Sequence, residues 1–150
     1  MPLETYSKKR NFSKTIEPKV KSEATGKNIY VIQEHNASHH HFDLRLEIGG
    51  VLKSWAIPKE PPTDSKTKRL AIKVEDHPID YADFEGEIPE GLYGAGTVKI
   101  WDKGTFNPIK IEEKEIIVKI DGKKLKGLFV LLKTSFKGAK NTWLFFKKKE

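Results

Sequence analysis

Three side chains in one short stretch carry the ligand types of a divalent-metal site. They are His35, His41 and Asp43, within Gln33-Glu34-His35-Asn36-Ala37-Ser38-His39-His40-His41-Phe42-Asp43-Leu44-Arg45-Leu46-Glu47. Side chains alternate along a strand, so His41, Asp43, Arg45 and Glu47 share one face, and Phe42, Leu44, Leu46 and Ile48 share the other as core. His41 and Asp43 then stand about 7 Å apart along the strand and can converge on one ion. The loop Asn36 to Ser38 lets His35 fold back as a third ligand. Two imidazoles and a carboxylate form a facial set with open positions, suited to Mn²⁺, Fe²⁺ or Zn²⁺. Arg45, one same-face step beyond Asp43, is placed to hold an anionic ligand of that ion with its planar fork. His39 shares the parity of His41 and stays in reserve, while His40 points away. The histidine triplet alone also fits a solvated surface cluster; its phase with His35, Asp43 and Arg45 argues for a site.

A second stretch, Lys68-Arg69-Leu70-Ala71-Ile72-Lys73-Val74-Glu75-Asp76-His77-Pro78, reads as a strand with Leu70, Ile72 and Val74 inward. Arg69, Lys73, Glu75 and His77 then lie on the opposite face, able to border a phosphate or simply to face solvent. Lys59, after Trp55-Ala56-Ile57-Pro58, is similarly ambiguous. Gly91-Leu92-Tyr93-Gly94-Ala95-Gly96 has no Walker pattern and reads as backbone bends. Tyr81, Tyr93 and Trp101 are candidates for base stacking, although aromatics between strands are more often core.

The elements that would position these groups are short strands: Asn28–Gln33, His39–Ile48, Val51–Ile57, Arg69–Asp76, Thr97–Trp101, Glu115–Ile120, Lys123–Leu132 and Thr142–Phe146. Asp80–Phe84 reads as one helical turn. Many strands with frequent turn signals predict an all-β fold, a mainly antiparallel β-barrel or closed sandwich with little helix. Residues 1–28, rich in Lys, Ser, Thr and Pro, read as an extended arm packing on a 29–150 barrel domain. With 150 residues and no cysteine, the chain suits one domain without disulfides, thiolate zinc sites or a cysteine nucleophile. The absence of a long apolar run predicts no membrane span and a cytoplasmic protein. A net charge of +7 favours polyanionic partners, and the tail Lys147-Lys148-Lys149 reads as a solvated end.

From about Ile32 to Phe106, and more loosely to Trp143-Leu144, the sequence resembles the 3′-phosphoesterase domain of the bacterial DNA ligase D proteins. The carrying segments are Gln33 to Glu47, Gly50 to Lys59, Arg69 to Pro78, Asp80-Tyr81-Ala82-Asp83-Phe84-Glu85-Gly86, Ile88-Pro89-Glu90-Gly91, Tyr93 to Gly96 and Trp101-Asp102. The resemblance implies a β-barrel enzyme of DNA repair and non-homologous end joining, using Mn²⁺ or another divalent metal such as Co²⁺ or Zn²⁺. Its implied activity removes a 3′-terminal ribonucleoside, then the remaining 3′-phosphate, leaving a 3′-hydroxyl. The implied partners are DNA or RNA–DNA primer-template ends, with a separate ligase and polymerase and no membrane. By resemblance, His35, His41 and Asp43 are the metal ligands, and Arg45 and His77 engage the scissile phosphate. Lys59, Arg69, Glu75, Tyr81 and Gln33 are supporting positions. In the arm, Lys9-Arg10-Asn11-Phe12, Thr15 and Glu17-Pro18 match in part, with Asn11 standing where an acid is usual and still able to bond a ligand histidine. Direct hydrolysis is the expected route, with His77 as candidate general acid or transition-state donor because imidazole titrates near neutrality. The alternatives are a non-catalytic nucleic-acid-binding barrel and an Fe(II)/2-oxoglutarate oxygenase, which also uses a His-x-Asp pair.

Overall fold

A computed structural model of the chain describes residues 3–20, 25–135 and 138–149. Among the described residues, nine strands make up one antiparallel sheet: β1 (Ile29–Asn36), β2 (His40–Ile48), β3 (Val51–Ile57), β4 (Lys68–His77), β5 (Gly86–Ile88), β6 (Gly96–Ile111), β7 (Glu115–Asp121), β8 (Lys126–Lys133) and β9 (Thr142–Lys147). Their spatial order is β1-β2-β3-β4-β9-β8-β7-β6-β5, and β1 also pairs with β6. Eight strands therefore close into a barrel, and β5 is an extra strand on the flank of β6. The helical elements with full bounds are α1 (Glu4–Lys8) and a 3₁₀ turn (Ile79–Asp83).

The period-two pattern builds two apolar layers on the two sides of β1–β3. Tyr30, Ile32, Phe42, Leu44, Leu46, Trp55 and Ile57 point into the barrel, where they meet Phe106, Val118, Phe129, Trp143 and Phe145. Val31 and Leu52 point outward and pack with Tyr6 of α1, Ile79, Tyr81, Phe84, Ile88 and Val98. The outer face of the first three strands is thus covered, and the polar residues of that face lie beneath the cover. Gly49 and Gly50 turn β2 into β3 with φ of 65° and 84°, the paired positive values of a tight right-twisting hairpin.

Several sequence expectations shift for identifiable reasons. In β4 the inward residue is Ala71; Leu70 and Ile72 are exposed and Val74 faces the outer side. The interior at that level is filled by the edge-to-face indoles of Trp55 and Trp143, 5.7 Å apart. Ala71 is paired directly with Trp143, so only a small side chain fits inward there. β4 then bulges against β3: Leu52 pairs with His77 and Ser54 with Val74. Two steps on β3 against three on β4 bring Val74 and His77 to the same face. β6 runs far beyond Trp101, hidden by Gly104, where a Cβ would overlap the Asp121 carbonyl, and by Pro108 at a bulge. β8 starts at Lys126 rather than Lys123. The arm contains α1, too short to show periodicity, and its residues 1–2 and 21–24 lie outside the described part.

The late start of β8 has a specific cause. Asp102, buried in β6, accepts the backbone N–H of Lys123 (2.9 Å), Lys124 (3.0 Å) and Leu125 (3.0 Å), and the Tyr30 hydroxyl (2.9 Å). Burial alone would raise its carboxyl pKa, but these four donors hold it below the ordinary value. Asp102→Asn should therefore cost roughly 2 kcal/mol at neutral pH. A carboxyl depressed in the folded state stabilises above its unfolded pKa and loses that contribution as pH falls through the folded value. Urea denaturation should show the gap between wild type and Asp102→Asn full at pH 7 and narrowing below about pH 4. A gap independent of pH would contradict this role.

Candidate metal centre

His35 and His41 face each other as a register pair across the β1–β2 hairpin, and Asp43 pairs with Gln33 next to them. The convergence comes from strand pairing; His35 stays in β1 rather than folding back through the loop. One ligand atom from each of His35, His41 and Asp43 lies within 4.8 Å of the others. His41 Nε2 is 3.2 Å and His35 Nδ1 3.7 Å from Asp43 Oδ2.

The other nitrogen of each ring decides what these atoms can do. His35 Nε2 lies 2.7 Å from the Gly94 carbonyl, and His41 Nδ1 2.8 Å from the His39 carbonyl. A carbonyl only accepts, so both of those nitrogens carry the proton of the neutral ring. His35 Nδ1 and His41 Nε2 are left with lone pairs aimed at a carboxylate, an arrangement that calls for a cation. Fixing the tautomer through the far nitrogen is the usual support of a metal-bound imidazole. The residues present therefore fit a divalent ion held by His35 Nδ1, His41 Nε2 and Asp43.

The electrostatics agree. Asp43 is 7% exposed, and burial would raise its pKa; the Arg45 guanidinium and the adjacent imidazoles of His35 and His41 hold it well below the carboxylate range. Burial disfavours the His41 cation, yet the Asp43 hydrogen bond and charge outweigh it and raise its pKa. Arg45 is itself clamped: Nε donates to Gln33 Oε1 (2.6 Å), Nη1 to Ser54 Oγ (2.9 Å), and Nη2 lies 3.5 Å from Asp43. Tyr81 lies under the guanidinium, 4.8 Å from its ring centroid. Gln33 Nε2 donates to the Tyr81 and Phe84 carbonyls at 2.8 and 3.0 Å, tying the 3₁₀ turn to the sheet.

These groups line a cavity of about 280 Å³ that also includes Arg10, Glu17, Glu75, His77, Tyr81, Tyr93 and Gly94. Arg10 and Glu17, from the arm, form a buried pair at 2.9 Å, and Arg10 Nη1 reaches Glu75 at 3.5 Å. Glu17 also accepts the hydroxyls of Tyr81 (2.8 Å) and Thr15 (3.0 Å). Burial, with Glu17 nearby, raises the Tyr81 pKa well above its usual value, so the phenol stays a neutral donor. His77 donates from Nδ1 to the Glu75 carbonyl (3.0 Å), leaving Nε2 as an acceptor 3.5 Å from Arg10 Nη2. Burial, then Arg45 and Arg10, push its pKa well below the usual 6.5. The expected titration near neutrality does not hold for the free site.

Of the other sequence candidates, Glu47 points away from the cavity and binds Thr25 and the Ile29 N–H. Asn11 is exposed and accepts from Ser13 (N–H 3.1 Å, Oγ 2.6 Å), so it touches neither histidine. Lys59 and Arg69 line a separate cavity with Pro58, Lys68 and Leu70. Its Pro58 lies just past the end of β3, two residues after Ala56, which lines the first cavity. Arg10 and Glu17 are site-lining residues the strand reasoning missed. Their signal was a charged pair in a segment without periodicity. Ser54 and the Gly94 carbonyl carried none.

Residues 33–133 match the family model described as the DNA Ligase D 3′-phosphoesterase domain. The chain is 46% identical over 157 aligned positions to the multifunctional non-homologous end joining protein LigD of Pseudomonas aeruginosa, covering 99% of this chain and 19% of that protein. Identity to the multifunctional non-homologous end joining DNA repair protein LigD of Mycobacterium tuberculosis is 46% over 139 positions, 89% of this chain and 18% of that protein. The LigD protein of Mycolicibacterium smegmatis is 43% identical over 161 positions, 99% of this chain and 21% of that protein. The chain thus spans about a fifth of the length of these curated relatives.

Binding at a preformed ligand set stabilises the folded state by mass action, about 2.7 kcal/mol at a hundredfold excess over Kd. Mn²⁺ should therefore raise the melting temperature of the wild-type protein and leave Asp43→Ala unmoved. Because His41 holds its proton more tightly than a free imidazole, Mn²⁺ affinity should rise as pH climbs through neutrality. Equal metal-induced shifts in both proteins would refute the ligand set.

Proposed function

This chain belongs to the DNA ligase D 3′-phosphoesterase domain family, and from that premise we propose that it is a metal-dependent phosphoesterase processing 3′ ends in DNA repair. Its substrates would be primer strands bearing a 3′-terminal ribonucleoside or a 3′-phosphate, and its product a 3′-hydroxyl fit for a separate polymerase or ligase. The observation that carries the reading is the convergence of two lone-pair nitrogens and an ionised carboxylate beside the clamped guanidinium of Arg45. Membership of a phosphoesterase family speaks against the oxygenase and the purely binding readings.

A divalent ion held by His35, His41 and Asp43 would supply Lewis-acid polarisation of the phosphoryl group. Mn²⁺ suits the imidazole and carboxylate donors, as do Co²⁺ and Zn²⁺. Arg45 faces the same space with Nη2, and because Gln33 and Ser54 hold the rest of the guanidinium, it needs no reorganisation as charge develops. Arg10, fixed by Glu17 and Glu75, adds a second positive charge. His77 waits neutral, its Nε2 3.5 Å from Arg10 Nη2; an entering phosphoryl anion would offset the part of its lowered pKa that the two guanidiniums cause, so that Nε2 is protonated from solvent and donates that proton to the leaving oxygen. Glu75 and Tyr81 position Arg10 and Glu17 rather than touch the reacting atoms. Lys59 and Arg69 are assigned to the phosphodiester backbone of the same strand, held in the second cavity.

A labelled duplex primer ending in one ribonucleotide or a 3′-phosphate, incubated with and without Mn²⁺, tests the reading. Metal-dependent conversion to a 3′-hydroxyl is expected, and no conversion of either end would overturn it. Arg45→Lys keeps the charge but loses the planar fork that bonds Gln33 and Ser54. Steady-state kinetics should show kcat reduced roughly 10- to 100-fold with a smaller change in KM. Near-normal kcat would sink the role given to Arg45.

A further inference from the structure

The three aromatic candidates for base stacking meet different surroundings. Tyr81 is buried under Arg45, and Trp101 packs edge-on to Phe42 at 5.8 Å. Tyr93 alone of the three both lines the cavity and remains open, at 48% exposed. It stands where the cavity meets solvent. Its ring is steadied by cations of the arm, with Lys9 Nζ 4.5 Å and the Arg10 guanidinium carbon 5.3 Å from the centroid. Lys9 also donates to the Tyr93 hydroxyl at 3.2 Å.

The backbone ties this ring to the metal ligands. Tyr93 directly precedes Gly94, whose carbonyl accepts the His35 N–H. Gly91 and Gly94 bracket it with φ of 84° and 78°, left-handed values that make the sharp bends on either side. The Ala95 N–H closes the turn on the Leu92 carbonyl at 3.1 Å. A substrate phosphate in the cavity would therefore have Tyr93 at a set position relative to it.

Size then separates the parts of a terminal nucleotide. The cavity of about 280 Å³ lies just under the ~300–1,000 Å³ usual for a site enclosing a whole small ligand. A phosphate, its cation and the adjacent sugar take that space, which leaves the base at the opening. Aromatic side chains hold bases there by stacking, irrespective of sequence, because every base has a π face.

We propose that Tyr93 is the stacking platform for the base of the terminal nucleotide and sets a preference for base-bearing over abasic 3′ ends. The proposal rests on the phosphoesterase reading above.

The test uses two primer-templates that differ only in the terminal primer residue, a normal nucleotide or a tetrahydrofuran abasic analogue, each with a 3′-phosphate. Wild type, Tyr93→Phe and Tyr93→Ala are assayed with Mn²⁺, and binding of the same primers is measured by anisotropy without metal. Tyr93→Ala should raise KM and weaken binding roughly tenfold on the base-bearing primer, the size of one lost base–aromatic stack. On the abasic primer it should match wild type, and Tyr93→Phe should match wild type on both. Equal losses on both primers, or Tyr93→Phe as impaired as Tyr93→Ala, would overturn the proposal and leave Tyr93 as a clasp for Lys9 and the arm. Wild-type failure to turn over either primer would overturn the phosphoesterase reading and this proposal with it.

Discussion

A carboxylate beneath an apolar cover stays ionised only if cations or donors surround it closely, and Asp43 imposes that requirement on everything near it. Arg45 answers from two residues along the same strand. Its position is fixed in turn by Gln33 on β1 and Ser54 on β3, so one guanidinium stitches three neighbouring strands. Gln33 spends its amide on the carbonyls of Tyr81 and Phe84, which seats the 3₁₀ turn. Tyr81 then meets Glu17 and Glu17 meets Arg10. A chain of paired buried groups thus runs from the candidate metal ligands out to the arm, and each link satisfies a group that burial would otherwise penalise.

That chain explains why the site sits on the outer side of the barrel. The interior is filled by aromatic and aliphatic side chains, with Trp55 and Trp143 edge to face and Phe129 stacked on Phe145 at 5.2 Å. It has no room for a polar row. The outer face of β1–β3 offers alternate positions free of core duty, and α1, the 3₁₀ turn and β5 wall them from solvent. Tyr6 illustrates the economy of the cover. It packs edge-on to His77 at 5.2 Å and Tyr81 at 5.9 Å while carrying the Arg10 guanidinium 4.0 Å from its centroid.

The parts of this design that obey period two were legible in the sequence. Strand parity put His41, Asp43 and Arg45 on one face and Phe42, Leu44 and Leu46 in the core, and Gly49-Gly50 marked the hairpin into β3. Parity failed in β4, where the two indoles leave room only for Ala71 and a bulge then reverses the alternation before His77. Neither is visible in residues 70–77 alone, because both depend on what β3 and β9 place opposite. Contacts made by backbone atoms, the Gly94 and His39 carbonyls and the N–H groups of residues 123–125 on Asp102, carry no residue-type signal at all. The cavity role of Arg10 and Glu17 depends on how an aperiodic arm folds back, and Asn11, between them in sequence, faces outward and bonds Ser13.

The charges lining the cavity bear on how a phosphate could enter it. Two guanidiniums, Arg10 and Arg45, stand against three carboxylates, Glu17, Asp43 and Glu75, and His77 is held neutral. With His41 neutral, as a metal ligand must be, the lining therefore carries a net negative charge, and the overall surplus of +7 resides elsewhere, partly on Lys59, Lys68 and Arg69 around the second cavity. Long-range attraction would bring a nucleic-acid strand to the protein, yet the last few ångströms would repel a phosphate dianion. A divalent cation on His35, His41 and Asp43 would reverse that local sign and leave the two guanidiniums free to bind. On the proposed phosphoesterase reading, the carboxylates that fix Arg10 would thus make a phosphate bind more tightly once a metal is held.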